Sequence, residues 1–157
     1  MSEKQPVKII DVLLVDDNDD DIEIALRTFK KSKTQNRIHV VHDGQEALAF
    51  LRHESGFSDE EEHPTPNVIL LDISMPKMNG FEFLAAVKKD PLYAYIPVLM
   101  LTSSRNEKDV LASFRAGAAG YISKPVSGED FTGIVDALND FWRLTRLPQK
   151  QNSARTV

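Results

Sequence analysis

The stretch Val68-Ile69-Leu70-Leu71-Asp72 constrains this chain most. Four consecutive large apolar residues without alternation suit a strand covered on both faces, which is the habit of a parallel sheet flanked by helices. Such a strand delivers its last residue to the crevice beyond the carboxyl ends of the sheet, where open α/β folds bind ligands. Asp72 is therefore a candidate reactive group, although aspartate also favours turns for local hydrogen-bonding reasons.

Three other runs end in the same manner. Val12-Leu13-Leu14-Val15 leads into Asp16-Asp17-Asn18, Val98-Leu99-Met100-Leu101 into Thr102-Ser103-Ser104, and Gly120-Tyr121-Ile122-Ser123 into Lys124-Pro125. If these strands are parallel, carboxylates, a hydroxyl and an ammonium converge at one end. A shorter run, Ile38-His39-Val40-Val41, supplies a fifth strand.

Between the strands the apolar spacing turns helical. Ile22, Ala25, Leu26 and Phe29 predict one helical face behind the acidic opening Asp19-Asp20-Asp21, and Gly44, Ala47, Leu48 and Leu51 a second. Gly80, Phe83, Leu84 and Val87 predict a third, stopped by Asp90-Pro91. Val110, Leu111 and Phe114 predict a fourth that ends at Gly117. Phe131, Ile134, Val135 and Leu138 mark a fifth between Ser127 and about Arg146. Strands alternating with helices, joined by right-handed crossovers, predict a doubly wound parallel sheet in three layers. Residues 52–67 break the pattern with an acidic run, Pro64 and Pro66, and a loop of that length is either functional or disordered.

At 157 residues the chain has room for one domain and none for a separate output domain. A net charge of −5 argues against broad nucleic-acid binding, which needs a basic face. With no cysteine, no membrane-length apolar run and no signal-peptide core at the start, a cytoplasmic location is expected.

The acidic pair Asp16-Asp17, Asp72 in an Asp-x-x-x-Pro turn, Thr102 followed by Ser103, Tyr121 and the Lys124-Pro125 step together resemble a two-component response-regulator receiver domain. Each motif is weak by itself; five in order, each at the end of a predicted strand, are not. The resemblance implies a flavodoxin-like sheet of order 2-1-3-4-5 with five helices. It implies a receiver over 8–147, between a disordered lead at 1–7 and a flexible basic tail at 148–157. It also implies that Asp72 accepts a phosphoryl group from the phosphohistidine of a sensor histidine kinase, with Mg2+ bound directly by Asp17 and Asp72, through water by Asp16, and by the Ser74 carbonyl. Lys124 and Thr102 then stabilise the phosphoryl oxygens, Tyr121 switches together with Thr102, and the Lys124–Pro125 peptide is cis. Physical chemistry agrees that crowded carboxylates need a cation and that magnesium favours oxygen ligands.

Two enzyme or carrier classes compete. A haloacid-dehalogenase-type phosphatase also uses aspartate, lysine and magnesium, but Asp21 stands where its signature expects Thr or Val. A flavin carrier needs a phosphate-friendly loop where this chain has Asp16 to Asp21. A pseudo-receiver acting only as a binding module lacks one of the residues that are all present here. The long 52–67 loop and the ending Phe141-Trp142 resemble the small regulators of phytochrome-type and hybrid kinases. Tyr121, Phe141 and Trp142 are thus candidate contacts of a homodimer or kinase-docking face. His39, His42, His53 and His63 match no part of this chemistry and are expected to be structural or exposed.

Overall fold

The computed structural model describes residues 10–31, 36–73, 75, 78–102, 106–123, 133–138 and 140–141. Five parallel strands, β1 (Ile10–Val15), β2 (Asn36–Val41), β3 (Val68–Asp72), β4 (Val98–Thr102) and β5 (Gly120–Ser123), lie in the order β2-β1-β3-β4-β5. The central strands β1 and β3 are buried along their whole length, as expected of unalternating apolar runs between two helical layers. Even-numbered residues of β1 and β3 face a core that includes Ile22, Ala25, Phe29 and Val135; odd-numbered ones face a core built on Phe50, Leu51, Phe83, Leu84 and Val87.

The helices are α1 (Asp19–Lys31), α2 (Gly44–Leu51), α3 (Gly80–Lys89) and α4 (Glu107–Arg115), and residues 133–138 and 140–141 are helical as well. Start signals are local. Asp43 caps α2 by accepting from the Glu46 amide, and Asn79 and Glu82 form a reciprocal capping box on α3. Gly117, at φ +105°, ends the α4 turn in a conformation that disfavours any side chain.

Two helical faces differ from the sequence expectation. On α1, Leu26 is 40% exposed while Thr28 is buried, because the buried stripe centres on Ile22, Ala25 and Phe29, and these two flank it. The Thr28 hydroxyl donates to the Ile24 carbonyl (2.8 Å), so its burial leaves no orphan. On α4, Leu111 and Phe114 are 49% and 48% exposed, and Ser113 is the residue fully buried, its hydroxyl donating to the Asp109 carbonyl. The inward face of α4 is thus rotated from the most apolar one, which is left facing solvent.

The 52–67 stretch is ordered. Phe50, fully buried at the end of α2, packs its ring against His39, Phe57 and His63 at centroid distances of 5.4, 5.2 and 5.5 Å, and Phe57 and His63 meet edge to face. A single 3-10 turn, Ser55–Phe57, brings Phe57 into that cluster. Asn67 closes the loop by exchanging bonds with Asp11: its amide donates to the Asp11 carbonyl, and its side-chain oxygen accepts from the Asp11 amide. Two of the four histidines, His39 and His63, are structural for this reason. His39 also lies 3.3 Å from the buried Asp11 carboxylate, which Arg37 grips at 2.8 and 3.2 Å.

Candidate functional site

Register brings the acidic strand ends together. Val15 pairs with Leu71, so the chain leaves β1 at Asp16 beside the point where β3 ends at Asp72. Leu101 pairs with Asp72, so Thr102 closes the neighbouring strand one residue further on. The result is a group in which Asp16, Asp17 and Asp72 each offer a carboxylate oxygen within 4.8 Å of the others. Asp16, Asp72 and Thr102 are buried, and Asp17 is exposed.

Short turns hold each arm. The Asp16 amide donates to the Val41 carbonyl at the end of β2 (3.1 Å), and the Asp16 carboxylate accepts from the Asn18 amide (3.0 Å). Asn18 in turn accepts from the Asp21 amide, which starts α1 directly behind the acidic pair. Beyond Asp72 the chain folds back on itself, and the Gly80 amide donates to the Ile73 carbonyl (2.9 Å). A Cβ at Gly80 would stand 2.5 Å from the Asp72 carbonyl oxygen and 2.8 Å from the Ile73 Cα. The first turn of α3 is therefore seated on the backbone of Asp72, and only glycine permits that approach. The apolar spacing reads Gly80 as one member of a helical face and misses this role. The signal for it is a glycine at the first helical position straight after the Asn79 cap, at the end of the Asp72 turn.

Tyr121 lies on β5 opposite Met100 and is partly buried against the α2–α3 side of the core. Phe141 is 62% exposed, so it does not fold back over the domain's own core. Ser74, Lys124, Pro125 and Trp142 lie outside the described residues.

Three carboxylate oxygens at this spacing, two on buried residues, could hold a hard divalent cation, since carboxylates at such range repel one another and oxygen ligands suit such an ion. Burial lowers the pKa of Lys88, whose Nζ donates to the Ala94 and Ile96 carbonyls ahead of β4, at the opposite end of the sheet. Burial, with the Asp90 charge adding to it, raises Tyr93 in the same segment, and burial raises Tyr95.

A parallel 2-1-3-4-5 sheet with an acidic cluster at the carboxyl ends of β1 and β3 defines a receiver. Residues 12–136 match the response regulator receiver domain, and the chain belongs to that family. Receiver domains work in signal transduction and are not conventional turnover enzymes. Response regulator Rcp1 of Synechocystis sp. is 36% identical over 140 residues, covering 89% of this chain and 92% of that protein. The structure of the phosphorylated cyanobacterial phytochrome response regulator RcpA superposes with a TM-score of 0.79 at 34% identity, covering 90% of this chain and all of the other. The Mn(2+)-bound form of Rcp1 superposes at 0.76 with 35% identity, over 89% of this chain and 99% of that one. Among the described residues, no helix is long and apolar enough to cross a membrane.

Proposed function

We propose that Asp72 is the phosphoacceptor of this receiver and that Mg2+ is its working metal, held by Asp16, Asp17, Asp72 and the Ser74 carbonyl. The observation that carries the reading is the meeting of the Asp72 carboxylate with those of Asp16 and Asp17 at the end of a wholly buried strand. In the transfer, an Asp72 oxygen attacks the phosphorus of a kinase phosphohistidine. The O–P bond forms as the N–P bond breaks, and the imidazole leaves as a neutral ring after taking a proton. Bound magnesium supplies charge neutralisation for the phosphoryl oxygens. The Thr102 hydroxyl, buried at the end of β4, donates to one of those oxygens, and Lys124 pairs with another. Thr102 and Tyr121 then shift together between two arrangements, which changes the surface offered to partners.

The donor is a phytochrome-type or hybrid histidine kinase, a reading supported by the likeness to Rcp1 and RcpA over nearly the whole of both chains. We assign the receiver to residues 8–147 and its location to the cytoplasm. The exposed Leu111, Phe114 and Phe141 favour a protein-docking or homodimer face that includes Tyr121 and Trp142. Incubation with acetyl phosphate and Mg2+ tests the central assignment. Intact-mass and peptide mass spectrometry is expected to find one phosphoryl group, on Asp72, and none on Asp72→Asn. Undiminished labelling of Asp72→Asn would overturn it.

A further inference from the structure

The turn between β2 and α2 touches both arms of the carboxylate cluster, although it carries none of its ligands. On one side the Val41 carbonyl accepts the Asp16 amide. On the other, Gly44 opens α2 with its Cα pressed against the loop that follows Asp72: a Cβ there would lie 2.8 Å from the Met78 Cγ and 2.9 Å from both the Met78 Cβ and its carbonyl oxygen. The Cγ could swing away. The Cβ and the carbonyl oxygen are fixed to the backbone and could not.

Neither body is free to retreat. α2 is seated by Ala47, Phe50 and Leu51, all at 1% exposure or less, so it cannot back off without opening the core. The loop is tied at its base, where the Gly80 amide holds the Ile73 carbonyl and leaves no room for a side chain beside Asp72. Ile73, Met75 and Met78 give it an apolar floor on the same core. A push at Met78 in a loop closed at Ile73 is therefore passed to the segment bearing Asp72, while Asp16 stays tied to Val41.

We propose that Gly44 is a positioning residue for the metal and phosphoacceptor site, and that the β2–α2 turn is a brace fixing the distance between the Asp16 arm and the Asp72 arm. The inference rests on the reading of Asp16, Asp17 and Asp72 as the metal site. Gly44→Ala must shift the loop by roughly half an ångström to reach ordinary contact, and misplacements of about 1 Å cost up to about a hundredfold in preorganised sites. A loss of about tenfold in metal affinity is expected.

The test uses the full chain and Mn2+ alone as probe, with free Mn2+ read by electron paramagnetic resonance. Gly44→Ala is expected to raise the Mn2+ dissociation constant about tenfold and to slow labelling by acetyl phosphate at subsaturating metal. Gly56→Ala, where no atom stands within 4 Å of the added Cβ, is expected to leave both unchanged. A purely structural role for Gly44 would shift the urea midpoint and leave the affinity of the folded protein alone, so a folded Gly44→Ala binding Mn2+ within twofold of wild type overturns the proposal. If Gly44→Ala does not fold, Met78→Gly removes two of the three contacting atoms from the loop side. It must then weaken Mn2+ binding severalfold, and unchanged binding overturns the proposal equally. Labelling of Asp72→Asn separates the two readings: if it persists, the phosphoacceptor assignment fails while Mn2+ affinity still reports on the brace.

Discussion

Replacing Asp17 by Asn should stabilise the metal-free protein and weaken it relative to wild type once metal is added. The carboxylate oxygens of Asp16, Asp17 and Asp72 lie within 4.8 Å of one another. At that range two unit charges repel by about 1 kcal/mol in a water-like medium and by about 3 kcal/mol at an effective dielectric near 20. Asp17 is the exposed member, so its two pairs belong near the lower figure, and their removal should raise metal-free stability by about 1–2 kcal/mol at low salt. Screening at ~1 M salt, where the Debye length falls to about 3 Å, should erase most of that gain. With metal the order reverses. A ligand at a hundred times its dissociation constant stabilises the folded state by about 2.7 kcal/mol, and a site short of one carboxylate captures less of this. Urea unfolding of both proteins, with EDTA and with saturating Mg2+, at low and high salt, measures all four terms. If Asp17→Asn with EDTA is no more stable than wild type at low salt, the repulsion is absent. If Mg2+ raises both midpoints equally, Asp17 is not a ligand.

Phe50→Ala should cost about 3–5 kcal/mol, because the ring is fully buried and three other rings rest on it. Limited proteolysis should then cut first within 52–67, and a cost under about 1 kcal/mol by urea unfolding would show that the loop does not depend on this ring. Tyr93→Phe should protect the fold against alkali. Burial, then the Asp90 charge, raises the folded pKa of Tyr93 above 10.0, so its stabilising contribution is full below that pH and is lost as pH rises through the folded pKa. Unfolding at pH 9 and pH 11 should show a smaller fall for Tyr93→Phe than for wild type; Lys88, lowered by burial, acts in the opposite direction in both proteins and cancels in the comparison.

Strand content was readable because β1, β3 and β4 are apolar on both faces, and that pattern admits few alternatives to a covered parallel sheet. The order of the strands was not readable from periodicity, since a run such as Val12 to Val15 carries no label for its neighbour; it came from likeness to a family. Helical faces were readable where apolar residues lie only on the buried side, as in α3, whose Phe83, Leu84 and Val87 are all fully buried. α4 defeats that logic. Leu111 and Phe114 are its largest apolar side chains, yet both are half exposed while Ser113 is covered, because a serine that bonds its own helix's carbonyl fits close against a neighbouring element.

The carboxylates of the site were legible for a different reason from the parts that hold them. Asp16, Asp17 and Asp72 announce themselves because a charged residue at the end of an apolar strand has to be explained. Gly44, Gly80 and Val41 do not, because their work is done by what is missing, a side chain at two positions, and by a backbone carbonyl at the third. The 52–67 loop escaped in the same way: its order comes from Phe50, His63 and Phe57 meeting across 13 positions of sequence, and from the Asn67 exchange with Asp11 on another strand. Contacts of that kind have no period, so a reading by period finds a gap where the fold has an aromatic cluster.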